Sequence, residues 1–331
     1  MRALQFHAFG EPADVLVLGE TQIPVPAAGR ICVEVHACGL NPADWALCRG
    51  LFPGALPRGI GLDVAGTVHA VGEGVTDVAV GDRVVGAADF AGSTSAGAAD
   101  FAILDHWAAM PAGLDFVAAS ALPMAIETAA LHLDALDLAG GKTIVIHGAG
   151  TTIGFAAVQI ALQRGAKVIA TAGDTYAERL RAMGASVTAY GEGMVDRIRA
   201  FGGHIDVVLD TSPNVADPKL VHKFISGDRS ALPTATSGVL VDLVRVADGD
   251  PKRVVTISNI AAAAIGVRTS FDLLKPGDAT PAARGKLLRA YVDKVTVPIA
   301  HTYPLDDWRT ALAASQGGNA RGKLVLLPKP V

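Results

Sequence analysis

The stretch from Lys142 to Gly173, KTIVIHGAGTTIGFAAVQIALQRGAKVIATAG, decides the fold. It reads as an apolar strand, a small-residue turn, an amphipathic helix, a glycine and a second apolar strand, the signature of a βαβ unit. Small residues from Gly148 to Gly154 let a pyrophosphate approach free backbone N–H groups at the helix N-terminus. Gly150, Thr151, Thr152 and Ile153 form this turn and helix start, so they are the candidate phosphate contacts. The full G-x-G-x-x-G pattern would end at Gly154, and Ala149 and Thr151 stand where two glycines are expected. An ordinary strand-to-helix turn that binds nothing is the competing reading of the same residues.

Around this unit the chain is too long for one core, and 331 residues predict two domains. Half of the residues are hydrophobic but only 5% are aromatic, a composition suited to parallel strands packed under helices. A net charge of −4 offers no electrostatic footprint for nucleic acid or an anionic membrane. The N-terminus MRALQFHAFG reads as a first strand, having neither the apolar run of a signal peptide nor the length of a membrane span. Cys32, Cys38 and Cys48 lack a C-x-x-C spacing, which argues against a disulfide framework and points to the reducing cytoplasm.

The first third carries short β patterns at Ile31 to Ala37, Val64 to Val71 and Arg83 to Val85. Past Pro111 to Gly113 its character changes, and the Ala-rich run Phe116 to Leu136 predicts a helix leading into the strand Thr143 to His147. Lys167 to Thr171, Asp206 to Asp210 and Arg253 to Ser258 are further strand candidates, spaced for a doubly wound parallel sheet. Residues 213–238 are polar and broken by Pro and Gly, and predict a surface excursion, either a lid over the cofactor or a tolerated insertion, before the helix Val239 to Val246. The chain returns to β character at Val295 to Ile299 and Lys323 to Leu327, around a helix from Leu305 to Ser315. The run from Arg253 to Gly266 predicts a strand near the edge of the sheet, where a two-fold partner would make a homodimer; a covered edge in a monomer is the alternative.

Gly39 to Asp44 (GLNPAD) and Gly61 to Val84 (GLDVAGTVHAVGEGVTDVAVGDRV) resemble the medium-chain dehydrogenase/reductase superfamily, in its zinc-independent quinone oxidoreductase (zeta-crystallin-like) branch. The likeness runs on through the βαβ unit, RVVTIS and the final YPLDDW…ARGKLVLLP, so it spans nearly the whole chain. It implies an α/β protein: a GroES-like irregular β catalytic domain from residues 1–117 and 293–331, plus a Rossmann doubly wound parallel-sheet domain from 118–292. Zinc-dependent relatives carry Cys where this chain has Asn41, and Gly-His-Glu where it has Gly61-Leu62-Asp63. An aliphatic side chain has no lone pair for a metal, so no catalytic zinc is expected.

Chemistry without a Lewis acid suits conjugated acceptors, where hydride addition makes an enolate or hydroquinone anion that needs only hydrogen-bond donors and a proton. The resemblance makes Asn41 the donor that orients the substrate carbonyl or the nicotinamide; capping the turn before Pro42 is its structural alternative. Asp44 and Trp45 would shape the same pocket floor; capping the helix that begins near Trp45 is the structural alternative for Asp44. Many relatives have Tyr where this chain has Leu51 or Phe52, which leaves water as the proton source. By resemblance Thr128 matches a position that lines the nicotinamide pocket, bonding back to its own helix backbone being its structural alternative, and Ser258 is a further candidate cofactor contact. At the end of the second Rossmann strand, where NAD enzymes present a carboxylate to the ribose, stands Ala172. Thr171, Gly173 and Tyr190 resemble the neutral pocket of NADPH users, so NADP(H) is the expected cofactor; Arg179 and Arg181 are either its candidate cations or solvated helix charges, with Asp174 opposing them. The resulting expectation is a reductase of a quinone or α,β-unsaturated carbonyl compound. An enoyl reductase acting on a biosynthetic, polyketide-like intermediate and a non-catalytic NADPH-binding sensor are the alternatives.

Overall fold

A computed structural model describes residues 1–50, 54–89, 93–213, 238–273, 277, 280–318 and 320–329. Leu51, Phe52 and nearly all of the 213–238 excursion lie outside the described residues. The chain forms two compact units, Met1–Glu127 with Thr280–Val331, and Thr128–Ala279.

The first unit is built on antiparallel pairing. β1 (Arg2–Phe6) lies between β2 (Leu16–Glu20) and β4 (Arg58–Gly59) in a small sheet. β3 (Ile31–Gly39), β5 (Asp63–Val71), β6 (Arg83–Ala88) and β7 (Phe101–Ala109) pair in that order, and β7 pairs back onto β3. Closure removes both edges of this part of the sheet. Register shifts at Cys32/Val33 and Val35/Ala37 in β3 give the curvature that closure needs. The C-terminal β14 (Ile299–Pro304) and β15 (Lys323–Leu327) extend the sheet from the other side of β3. Leu4, Phe6, Val33, Leu104, Trp308 and Leu326 are among the residues of its buried core. The strand expected from Val295 begins instead at Ile299, because Pro298 has no N–H for a ladder and offers only its carbonyl, to Lys323 N at 2.8 Å.

Residues 118–127 and 280–292, which the sequence reading grouped with the Rossmann segment, belong to this unit. The helix expected over Phe116 to Leu136 is two helices, Phe116–Ala119 and Pro123–Ala135, because Pro123 has no N–H to continue the first. Glu127 on the second accepts from His106 Nε2 on β7 at 2.8 Å, and Arg284 on the helix Pro281–Tyr291 lies 3.7 Å from the same carboxylate. Arg289 of that helix donates to Trp107 O at 2.9 Å. Both helices are therefore tied to β7.

The second unit is a six-stranded parallel sheet. Its strands are β8 (Thr143–His147), β9 (Lys167–Thr171), β10 (Ser186–Thr188), β11 (Val207–Asp210), β12 (Val254–Thr256) and β13 (Arg268–Thr269). They run in the order β10-β9-β8-β11-β12-β13, which is 3-2-1-4-5-6 within the unit and is the doubly wound dinucleotide-binding order. β8 and β11 are central and nearly continuous in buried apolar residues, Ile144 to Ile146 and Val207 to Leu209. The edge expected at Arg253 to Gly266 is one strand further on. β12 is internal, Ile260–Ile265 makes a short helical turn, and the two-residue β13 forms the edge.

His106 supplies a pH test of the first unit. Burial works against its charge, but the hydrogen bonds it donates to Asp105 and Glu127 outweigh burial and push its pKa up to about 9. The unfolded value is near 6.5, so this stabilisation is fully present below about pH 6.5 and is lost as pH rises through about 9. Urea unfolding should show stability falling across that window by at most roughly 1.4 kcal/mol per pH unit from this group, and His106→Gln should flatten the slope. Parallel wild-type and variant slopes would remove His106 as the cause.

Candidate functional site

In the second unit the site is built at the carboxyl ends of β8 and β11, where the strand order reverses. The chain leaves β8 through Gly148, whose φ of +74 and whose Cβ position 2.7 Å from Ser212 N admit only glycine. A Cβ at Gly154 would lie 2.4 Å from Gly148 O. Thr151, standing in for a glycine, caps the helix Thr152–Gln163: its hydroxyl accepts from Gly154 N at 3.0 Å and donates to Thr211 Oγ1 at 3.2 Å. The N–H groups of Thr152 and Ile153 donate to no described residue, which leaves two aligned donors and the positive end of a helix dipole open to an anion. Gly150 is open as well; a Cβ there would meet only the Tyr176 ring, at 3.4 Å.

The end of β9 differs in part from the sequence reading. Thr171 is fully buried, and its hydroxyl bonds His147 Nδ1 at 2.7 Å and accepts from Gly148 N at 3.4 Å, so it braces the turn from below. Ala172 is buried too, with its N–H on Thr188 O at 3.1 Å. Gly173 is the N-cap of the helix Asp174–Ala182, and the exposed Tyr190 ring lies 3.6–3.7 Å from its Cβ position. Arg179 stacks over Phe155 at 5.0 Å, and Arg181 donates to Val187 O at 3.3 Å. The cation bonded to the Tyr190 loop is Arg197, which sequence reasoning missed because it lies beyond the β9 fingerprint. Thr128 accepts at its carbonyl from His132 Nδ1 at 2.6 Å, and His132 Nε2 meets Ser270 Oγ at 2.7 Å. Ser258 Oγ donates to Ser212 O at 3.0 Å, behind the Gly148 turn.

In the first unit Asn41 precedes the helix Pro42–Cys48, and Asp44 reaches back to accept Asn41 N at 2.6 Å. The other Asp44 oxygen accepts from Gly61 N at 3.0 Å and Leu62 N at 2.9 Å. Burial pushes its pKa up to about 7, with Asp63 adding to the rise and the N–H donors and Lys323 opposing it. Trp45 is 3% exposed and donates to Ser315 Oγ at 2.8 Å. Asp44 and Trp45 are thus enclosed side chains with occupied polar atoms; they shape the loops and offer a ligand no free group.

Asn41 stands in a charged network. Its Oδ1 accepts from Lys323 Nζ at 2.6 Å, while Nδ2 donates to Asp63 Oδ2 at 2.9 Å and more weakly to Gly39 O at 3.3 Å. Lys323 Nζ lies 2.7 Å from Asp63 Oδ2, both side chains being 1% exposed, and Asp63 Oδ1 accepts from Met124 N at 2.8 Å. Leu62, beside Asp63, is buried and apolar. Among the described residues no three His, Cys, Asp or Glu side chains converge as metal ligands. Sequence reasoning missed the Asp63–Lys323 pair; its trace is a lysine opening the otherwise apolar strand KLVLL.

Residues 27–113 match the alcohol dehydrogenase GroES-like domain family. The quinone oxidoreductase of Sus scrofa is 34% identical over 226 residues, covering 65% of this chain and 67% of that protein. Polyketide synthase GfsB of Streptomyces halstedii is 32% identical over 329 residues, 94% of this chain but 5% of that much longer protein. An alcohol dehydrogenase superfamily protein from Novosphingobium aromaticivorans superposes with a TM-score of 0.75 at 27% identity, over 99% of this chain and all of that one. With this likeness, a doubly wound sheet and a helix N-terminus open at its switch point, the chain is an oxidoreductase that belongs to the quinone oxidoreductase-like branch of the medium-chain dehydrogenase/reductase superfamily.

Proposed function

We propose that this oxidoreductase uses NADPH to reduce a quinone or an α,β-unsaturated carbonyl compound, without a metal. The observation that carries the cofactor reading is the pair of open N–H groups at Thr152 and Ile153 over a turn that only glycine can make at Gly148. They would hold the pyrophosphate, with Gly150 and Thr151 beside it. Gly173 and Tyr190 would receive the 2′-phosphate, which meets no carboxylate at Ala172. Thr128 is assigned to the nicotinamide pocket by resemblance, and Ser258 to the cofactor. When bound, reduced nicotinamide supplies a hydride.

The metal-free reading rests on Asn41 and Leu62. Leu62 has no donor atom, and the Asn41 carbonyl oxygen is already occupied by the Lys323 ammonium. That bond polarises the Asn41 amide, and the weak Nδ2 contact to Gly39 O can be exchanged for one to a developing substrate oxyanion. Asp44 and Trp45 then act by holding the loop that carries Asn41, and the proton comes from water. Buried free cysteines suit a reducing cytoplasm, and the edge strand β13 suits pairing with a two-fold partner. The match of nearly the whole chain to a segment of a polyketide synthase favours a second reading, an enoyl thioester as the acceptor.

NADPH consumption should depend on a quinone, an enone or an enoyl thioester and survive exhaustive chelation; the ratio of kcat/KM between quinone and thioester separates the two readings. Saturated alcohols with NADP should give no turnover, since nothing at Asn41 or Leu62 lowers an alcohol's pKa as zinc would. Stoichiometric zinc whose removal abolishes activity would overturn the metal-free reading. Asn41→Ala should lower kcat by roughly tenfold to a thousandfold with a smaller effect on the KM for NADPH. Undiminished kcat would reduce Asn41 to a turn residue.

A further inference from the structure

Arg197 stands in the last turn of the short helix Met194–Arg199, and its guanidinium folds back over the loop that follows β10. Nε donates to Thr188 Oγ1 at 3.2 Å, Nη1 to Glu192 O at 2.7 Å, and Nη2 to Ala189 O at 3.1 Å and Tyr190 O at 3.3 Å. The reversal passes through Gly191 and Gly193, and a side chain at Gly193 would lie 3.0 Å from Arg197 Nη1. One fork thus holds a whole loop. That loop presents Tyr190, whose ring stands against Gly173 at the end of β9.

The charge is what makes this more than a brace. All four acceptors are neutral, and Arg197 forms no ion pair with a described carboxylate. The Nη1 and Nη2 bonds lie at the solvent-exposed surface, so the guanidinium keeps an uncompensated positive charge that an anion can reach. Four bonds also leave one of its five N–H donors, on Nη1, without a described partner. The two arginines nearer β9 in sequence are engaged elsewhere, Arg179 on Phe155 and Arg181 on Val187 O.

We propose that Arg197 is the specificity-determining cation for the 2′-phosphate of NADPH, fixing the Tyr190 loop and supplying the positive charge that Gly173 and Tyr190 lack. This rests on the NADPH reading. A phosphate dianion beside Tyr190 would complete the arrangement, whereas a 2′-hydroxyl gains little from it.

The test compares 2′,5′-ADP with 5′-AMP by isothermal titration calorimetry, since these fragments differ only in the 2′-phosphate. Wild type should favour 2′,5′-ADP. Arg197→Met should weaken 2′,5′-ADP by about tenfold to a hundredfold, the loss of a charged hydrogen bond, and change 5′-AMP by less than about twofold. Arg197→Lys, which keeps a charge but loses the planar fork, should fall between them; if Arg197→Met does not fold, it carries the test, and weakening of 2′,5′-ADP alone is the expected result. KM values for NADPH and NADH should follow the same pattern. Equal weakening of both fragments would make Arg197 merely structural and overturn the proposal, as would discrimination that survives in both variants. A wild type indifferent to the 2′-phosphate would instead overturn the NADPH reading together with this one.

Discussion

The first unit depends on an ammonium taken out of water. Lys323 at the start of the C-terminal β15 meets Asp63 at the start of β5 and Asn41 before the helix Pro42–Cys48. Asp63 in turn receives the N–H of Met124, at the start of the helix Pro123–Ala135. Four segments far apart in sequence therefore converge on one ion pair. Neither charge tolerates this burial alone, because desolvation exceeds what a single contact returns; each is acceptable only while the other and its hydrogen-bond partners are in place. The arrangement sets the direction of the Asn41 amide.

In the second unit the comparable constraint is steric. The chain must leave β8, turn and enter a helix within a few residues, and the turn brings Gly148, Gly154, Thr211 and Ser212 into backbone contact. Thr151 shows how a departure from the expected glycine pattern can be absorbed. At that position backbone freedom is not required, with φ at −73, and the hydroxyl contributes a cap that glycine could not. His147 and Thr171 support the turn from beneath, so the polar groups at the ends of β8 and β9 are engaged with each other and with the turn.

Much of this was legible in the sequence because it is local. A strand, a small-residue turn and a helix announce themselves within 32 residues, from Lys142 to Gly173, through hydrophobic period and glycine placement. The order of two fold types followed from motifs in sequence, and Asn41 and Leu62 could be set against zinc ligands position by position. Where strands were misjudged, the cause was again local: Pro298 delayed β14, and β10 and β13 are too short to leave a periodic trace.

What tertiary structure alone decided is which polar groups are spent and which are free. Sequence named Thr171, Asp44 and Trp45 as candidates, yet burial commits each of them to internal partners. It left Arg179 and Arg181 undirected and passed over Arg197, because the reach of a guanidinium depends on how a loop folds back. The pairing of Asp63 with Lys323 spans most of the chain and carries no spacing rule. Periodicity and turn chemistry are properties of neighbours along the chain, so composition and motif suffice to determine them; charge compensation in a dry interior is a property of neighbours in space, and only the folded arrangement of β5, β15 and the Asn41 loop could set it.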